Sequence, residues 1–208
     1  MLQLWESQTI SAEEFDRLQD LYGPLAAAVR DLIDATVRTR ADESAIGRAT
    51  AAVRAVTESL EPLNEAGWQE ARHAETGRPL LFTNPAAGRR NPIAPPLVIH
   101  HDEDGRCWSD FTLGAAYEGP PGMVHGGISA LLLDHLLGEA ASGGLVQPRF
   151  TGTISLRYLR GTPLGPLHAE AHLDRVEGHK TYARGFISVA DGPTVEAEGV
   201  FITPAWAR

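Results

Sequence analysis

The stretch 126–142 constrains this chain more than any other. Read as a helix, it carries Ile128, Leu131, Leu132, Leu133, Leu136, Leu137, Ala140 and Ala141 around most of its circumference. A helix with one apolar stripe can lie on a surface, but one that is apolar nearly all round has to be wrapped. The material for wrapping follows directly. Residues 150–160, 167–176, 181–190 and 194–203 alternate apolar and polar side chains with the period of half-buried strands. Between them stand Gly161-Thr162-Pro163, Glu177-Gly178 and Asp191-Gly192-Pro193, which are turn chemistry and predict an antiparallel meander. Two further strands are expected ahead of the helix, over 97–101 and 106–113. The fold class is therefore α+β, a central helix wrapped by an antiparallel sheet.

The first third reads as helix. Ser11-Ala12-Glu13-Glu14 has the form of a capping box, and Phe15, Leu18, Leu21, Tyr22, Leu25, Val29, Leu32 and Ile33 follow as one stripe at spacings of three and four. Gly23-Pro24 should break or kink this helix, because proline removes a backbone donor and clashes with the preceding turn. A second helix is predicted after Asp42, with Ile46, Ala49, Val53, Val56, Leu60 and Leu63 on one face. Two amphipathic helices cannot bury their faces alone, so this segment must pack on something else. From Glu75 to Pro96 the composition turns to Gly, Pro, Asn and Arg, the mark of a long connection crossing a surface. The expected division is a helical N-terminal extension over 1–75, a connection over 76–96 and a helix-and-sheet domain over 97–208.

The formal net charge of -9 argues against a general nucleic-acid binder. The charge is unevenly spread: residues 1–75 hold 14 acidic and 7 basic side chains, residues 76–208 hold 13 and 11. No apolar run suits a membrane span, and Met1 to Ile10 lack the basic start and apolar stretch of a secretory signal, so a cytoplasmic location is expected. The single cysteine, Cys107, excludes an intrachain disulfide framework and a multi-cysteine zinc site. His168, Glu170 and His172 alternate on one strand face, too far apart at ~3.3 Å per residue to share one ion, and no metal is expected. There is no P-loop, GxGxxG fingerprint, GxSxG elbow or CxxC.

Chemistry is expected from two places on the central helix. Asp134 stands among Ala130, Leu131, Leu137 and Gly138, none of which can pair with it, and aspartate is a poor helix former that is rarely buried alone. Burial there would raise its pKa and make it a base; the plainer readings are a narrow exposed strip or a pair with Arg157. The helix opens at His125-Gly126-Gly127 after Gly119-Pro120-Pro121-Gly122. Free N–H groups at such a start can serve as an oxyanion hole, or the glycines can merely permit close packing.

The run from Gly119 to His135 resembles the signature of hotdog-fold acyl-CoA thioesterases of the PaaI-like group, in which HGG opens the central helix and an acidic residue follows nine positions after the histidine. Thr151 to Tyr158, Arg160, Pro163 to Gly165 and Val176 to Lys180 are similar to that family's next strand, turn and hairpin, so the resemblance covers roughly 97–208. It implies a hotdog fold and hydrolysis of an acyl-CoA to carboxylic acid and free CoA, without a cofactor, in lipid metabolism. Asp134 matches the family's catalytic acid, acting as base or nucleophile; Gly126 and Gly127 match the oxyanion-hole backbone, and His125 the histidine of the triplet. Thr151 falls where several members carry a Ser or Thr that helps hold the water or carboxylate. Arg157, Arg160, His179 and Lys180 lie in segments similar to the CoA-contacting strand and hairpin, although Arg157 also reads as a solvated strand residue and Lys180 as a turn residue. Many relatives have Asn or Gln six residues before the histidine, where this chain has Gly119.

Eight helical residues separate Gly126 from Asp134, about 12 Å at ~1.5 Å per residue, so the two cannot reach one carbonyl within a single chain. Two antiparallel copies about a twofold axis would create composite sites, and a homodimer or a dimer of dimers is expected. The alternatives are a hotdog hydratase or dehydratase, and an acyl-CoA-binding sensor without turnover. Acyl-chain length is not legible. The acidic extension is expected to cap the acyl end or the dimer edge rather than the mouth of the site, where it would repel the CoA phosphates.

Overall fold

The structure, a computed structural model, describes residues 8–63 and 71–208. Residues 1–7, where the leader reading falls, and 64–70, near the end of the expected extension, lie outside the described residues. The described chain runs β1 (Gln8–Ile10), α1 (Ala12–Arg38), α2 (Glu43–Leu60), β2 (Ala71–His73), β3 (His100–His101), β4 (Cys107–Leu113), α3 (Gly126–Ser142), β5 (Phe150–Tyr158), β6 (Gly165–Glu177), β7 (Lys180–Val189) and β8 (Gly192–Ile202).

Six strands form one sheet in the order β3-β4-β6-β7-β8-β5, each neighbour antiparallel to the next. The sheet wraps α3 as the circumference argument requires. Leu132, Leu133, Leu136 and Leu137 are wholly buried against Phe111, Ala169, Ala171, Ala183, Ile187, Val195 and Phe201. Alanines at these strand positions let the helix backbone approach the sheet, while the leucines supply most of the apolar area removed from water.

The expected meander is correct for β6, β7 and β8 and wrong for β5. β5 pairs with β8 at the far edge, from Phe150 opposite Ile202 to Tyr158 opposite Val195. The segment Gly161-Thr162-Pro163 is therefore no hairpin turn. It pairs instead with the lead-in to α3, where Val124 N donates to Thr162 O and Leu164 N to Gly122 O. Turn chemistry reports that the chain changes direction, not which strand it joins next.

The N-terminal segment differs from expectation in three ways. α1 continues through Pro24 as a single element, with Ser11 capping it by accepting from Glu14 N. Losing one donor costs ~3 kcal/mol in an isolated helix, but tertiary packing on both sides of the proline holds this one: Tyr22 packs edge-on against Phe82 and Ala26 is buried. The apolar stripe is also divided. Phe15, Leu18 and Tyr22 pack on Ala71, Leu80 and Phe82, whereas Leu21, Leu25 and Leu32 are exposed. Finally, the connection is no mere surface crossing, for Leu80, Phe82, Ala86 and Ala94 are buried within it. α2 has no buried residue and faces the end of α1 across an apolar groove lined by Leu32, Ile33, Ile46, Ala49 and Val53. β1 and β2, a parallel pair of three residues each, were not foreseen, being too short to show a period.

Candidate functional site

The central helix presents different chemistry at its middle and at its start, and the edge strand β5 meets both. At mid-helix Asp134 is half-buried, and its Oδ1 accepts a hydrogen bond from Thr151 Oγ1 at 2.9 Å. Thr151 sits near the start of β5, opposite Phe201. The alternative pairing of Asp134 with Arg157 is not found: Arg157 faces Glu196 on β8 at 3.9 Å, with its side chain 79% exposed.

At the start of the helix His125 is the N-cap of α3. Its Nδ1 accepts from Gly127 N at 3.0 Å, and its carbonyl accepts from Ile128 N at 2.9 Å. The Gly127 N–H is thereby engaged, which the sequence reading did not anticipate. Among the described residues the Gly126 N–H donates to no group, so it remains at the positive end of the helix. The Gly126 carbonyl accepts from Tyr158 Oη at 2.8 Å, and a Cβ at Gly126 would stand 3.3 Å from that hydroxyl. Gly119 is held just as closely, since a Cβ there would lie 2.8 Å from His125 Cα. An Asn or Gln could enter this position only if the loop moved.

The four residues expected at CoA divide between the two ends. Arg157 and Arg160 lie at or just beyond the Tyr158 end of β5. His179 and Lys180 lie at the opposite end, where Lys180 pairs with Ile202 and Ile202 with Phe150. Arg160 already has partners, donating from Nη2 to Gly192 O at 2.8 Å and from Nε to Pro193 O at 3.3 Å. It ties down the β7–β8 turn. Lys180 is exposed at the start of β7. One chain therefore brings Thr151 to Asp134 and Tyr158 to Gly126, but does not join the two groups.

Among the described residues no group of three His, Cys, Asp or Glu side chains could hold a metal ion. His168 instead contacts Asp110 at 2.8 Å, and Glu170 contacts Arg106 at 3.2 Å. The sequence reading missed a buried cluster around Glu139, which is 2% exposed. Its carboxylate stands 3.3 Å from His101 Nε2, 3.4 Å from Arg78 Nη2 and 3.5 Å from His135 Nε2. Burial alone would raise the Glu139 carboxyl, but His101, His135 and Arg78 outweigh it and bring it down to about 2. Arg78 Nη2 also stands 2.6 Å from His101 Nε2, so the groups around the Glu139 carboxylate contact one another as well. Burial, helped by the Glu139 charge, pushes the Cys107 thiol up to about 12, which leaves it unreactive. The signal for the cluster was available: Glu139 is the second acid on an apolar helix, open to the argument applied to Asp134.

A central helix wrapped by a six-stranded antiparallel sheet in this order is the hotdog fold. The profile of the thioesterase superfamily matches residues 121–196. A crystal structure of a thioesterase superfamily protein aligns with a TM-score of 0.78 and 36% identity over 87% of this chain and 94% of that one. The chain belongs to the thioesterase superfamily. Because residues 97–208 make up little more than half of the chain, that match reaches into the N-terminal segment as well. The chain is also 28% identical over 109 residues to acyl-coenzyme A thioesterase THEM4 of Bos taurus, covering 51% of this chain and 44% of that protein. It is 33% identical over 98 residues to acyl-coenzyme A thioesterase THEM5 of Homo sapiens, covering 44% of this chain and 38% of that protein. It thus spans less than half the length of these two curated relatives.

Proposed function

We propose that this chain hydrolyses an acyl-CoA thioester to the carboxylic acid and free CoA, at composite sites between two antiparallel copies. The observation that carries the reading is the pairing of Asp134 with Thr151 at the middle of α3 and a free Gly126 N–H at its start. Membership of the thioesterase superfamily and the names of the relatives supply the thioester chemistry.

Asp134 of one chain accepts a proton from water while Thr151 holds the carboxylate in place, and the water oxygen bonds to the thioester carbon. The carbonyl oxygen takes up the negative charge and meets the N–H of Gly126 of the partner subunit, at a helix start where developing charge is stabilised. Collapse of the adduct breaks the C–S bond, and the leaving thiolate takes the proton back from Asp134. In the nucleophilic variant the carboxylate itself bonds to the carbon, expels the thiolate and forms an anhydride that water then cleaves. Gly126, rather than Gly127, is the oxyanion donor, because His125 already occupies the Gly127 N–H.

Two features support the twofold arrangement. β5 is an edge strand of nine residues with most of its side chains exposed, and a long free edge is normally covered. Antiparallel pairing there would also bring the Arg157 end of one chain beside the His179 and Lys180 end of the other, assembling the basic groups for the CoA phosphates. Arg160 acts through the turn it holds. The extension over 1–75 reaches the Gly126 end, where Asp34 Oδ1 accepts from Ala115 N at 2.9 Å, ahead of the Gly119 loop. From there it contributes to acyl-chain preference.

The test is thiol release over a panel of acyl-CoAs with Asp134→Asn as control. Free thiol with wild type and little with the variant supports the reading. Hydration or dehydration of the acyl chain with the thioester intact, or tight binding without turnover, refutes it.

A further inference from the structure

The mechanism leaves unused a cavity of about 300 Å³ beside Glu139. It lies between α1, the connection and the C-terminal end of α3. Asp134 faces β5 and Glu139 faces β3, and these strands are the two edges of the sheet. The cavity borders Glu139, so it is separate from the Asp134 end of the proposed site.

Its apolar wall comes from Phe15, Leu80, Leu97, Ile99 and Leu145, and its polar groups are Gln19, His73, Thr76, Arg78, Arg89 and Glu139. Glu139 is the single carboxylate, and Arg78 offsets it. His73 Nδ1 accepts from Glu75 N at 3.2 Å and from Thr76 N at 3.3 Å, which places the ring proton on Nε2 as a donor. Among the described residues, the Arg89 guanidinium and the Gln19 amide have no hydrogen-bond partner. Once the Arg78–Glu139 pair is set aside, the remaining groups are a guanidinium, an imidazole N–H, an amide and the Thr76 hydroxyl, which accepts from Arg78 N, next to an aromatic and aliphatic wall. Such a wall favours an apolar body and such donors favour an anionic head, above all a carboxylate, which guanidinium binds in two-pronged fashion. At ~30 Å³ for a water-sized group, the space admits about ten heavy atoms.

We propose that this cavity is a second binding site, for a small apolar monocarboxylate whose head is held by Arg89 and His73. Its walls come from both the N-terminal segment and the helix-and-sheet domain, so occupancy would bind the two together. The inference does not depend on thioester hydrolysis.

The test is calorimetric titration of sodium hexanoate into the full chain, with 1-hexanol as the uncharged control, repeated on Arg89→Gln and Asp134→Asn. Arg89 is exposed, so its substitution leaves the core intact. The expected result is one hexanoate per chain, an affinity about tenfold lower in Arg89→Gln from the lost charge-assisted hydrogen bond, and no change in Asp134→Asn. Equal binding by Arg89→Gln, equal binding of 1-hexanol, loss of binding in Asp134→Asn, or no heat up to about 10 mM, where even a Kd of about 1 mM registers, overturns it.

Discussion

Replacing Glu139 by glutamine keeps the shape of the side chain and removes its charge from beside Arg78, His101 and His135. The folded carboxyl lies at about 2 against an ordinary value of 4.5. At 1.36 kcal/mol per pKa unit, this depression is worth about 3 kcal/mol, comparable with breaking a buried ion pair by removing one partner. Because the folded value is below the unfolded one, the stabilisation is complete above the unfolded pKa and is lost as pH falls from about 4.5 towards about 2. Urea unfolding of wild type and Glu139→Gln should therefore differ by about 3 kcal/mol at pH 7, and the gap should narrow steadily below about pH 4.5. An equal stability at pH 7, or a gap that is the same at pH 2.5 as at pH 7, would show that the Arg78–His101–His135 cluster does not hold an ionised carboxylate.

Asp134→Asn should lower turnover by roughly 10²–10⁴-fold with acyl-CoA binding retained, as read by steady-state thiol release beside calorimetry. Arg157→Ala should raise KM for acyl-CoA with stability unchanged, since the side chain is 79% exposed, whereas Arg160→Ala should cost about 1 kcal/mol of stability by freeing two turn carbonyls. Deleting residues 1–75 should change the order of preference among acyl chain lengths more than the affinity for free CoA; a soluble dimer with an unchanged order would reduce the extension to a structural annex.

The approximate span of α3 was legible because its apolar circumference and its His125-Gly126-Gly127 start are both local signals. The strands of the 165–202 meander were legible from their period of two, and the Thr151–Asp134 contact from the resemblance. The place of β5 was not, since sheet order depends on a crossover that no local pattern records. Pro24 does not break α1 because tertiary packing of Tyr22 and Ala26 overrides a local cost. The same holds for the connection: its prolines were conspicuous, and the burial of Leu80 and Phe82 depends on α1, far away in sequence. Glu139 was invisible as a cluster because His101 and Arg78 reach it across 38 and 61 residues of chain.

Mixing two inactive variants tests the composite site most directly. Asp134→Asn disables the mid-helix carboxylate, and Gly126→Pro disables the helix start by removing the free N–H at the first helical position, where proline is tolerated. Neither variant alone should release thiol at more than a small fraction of the wild-type rate. In an exchanged equimolar mixture about half the dimers are mixed, and each has one site with both lesions and one with neither, so about a quarter of wild-type activity should return. Recovery near that level supports sites shared between chains. No recovery under conditions where subunit exchange is verified by mass would contradict it.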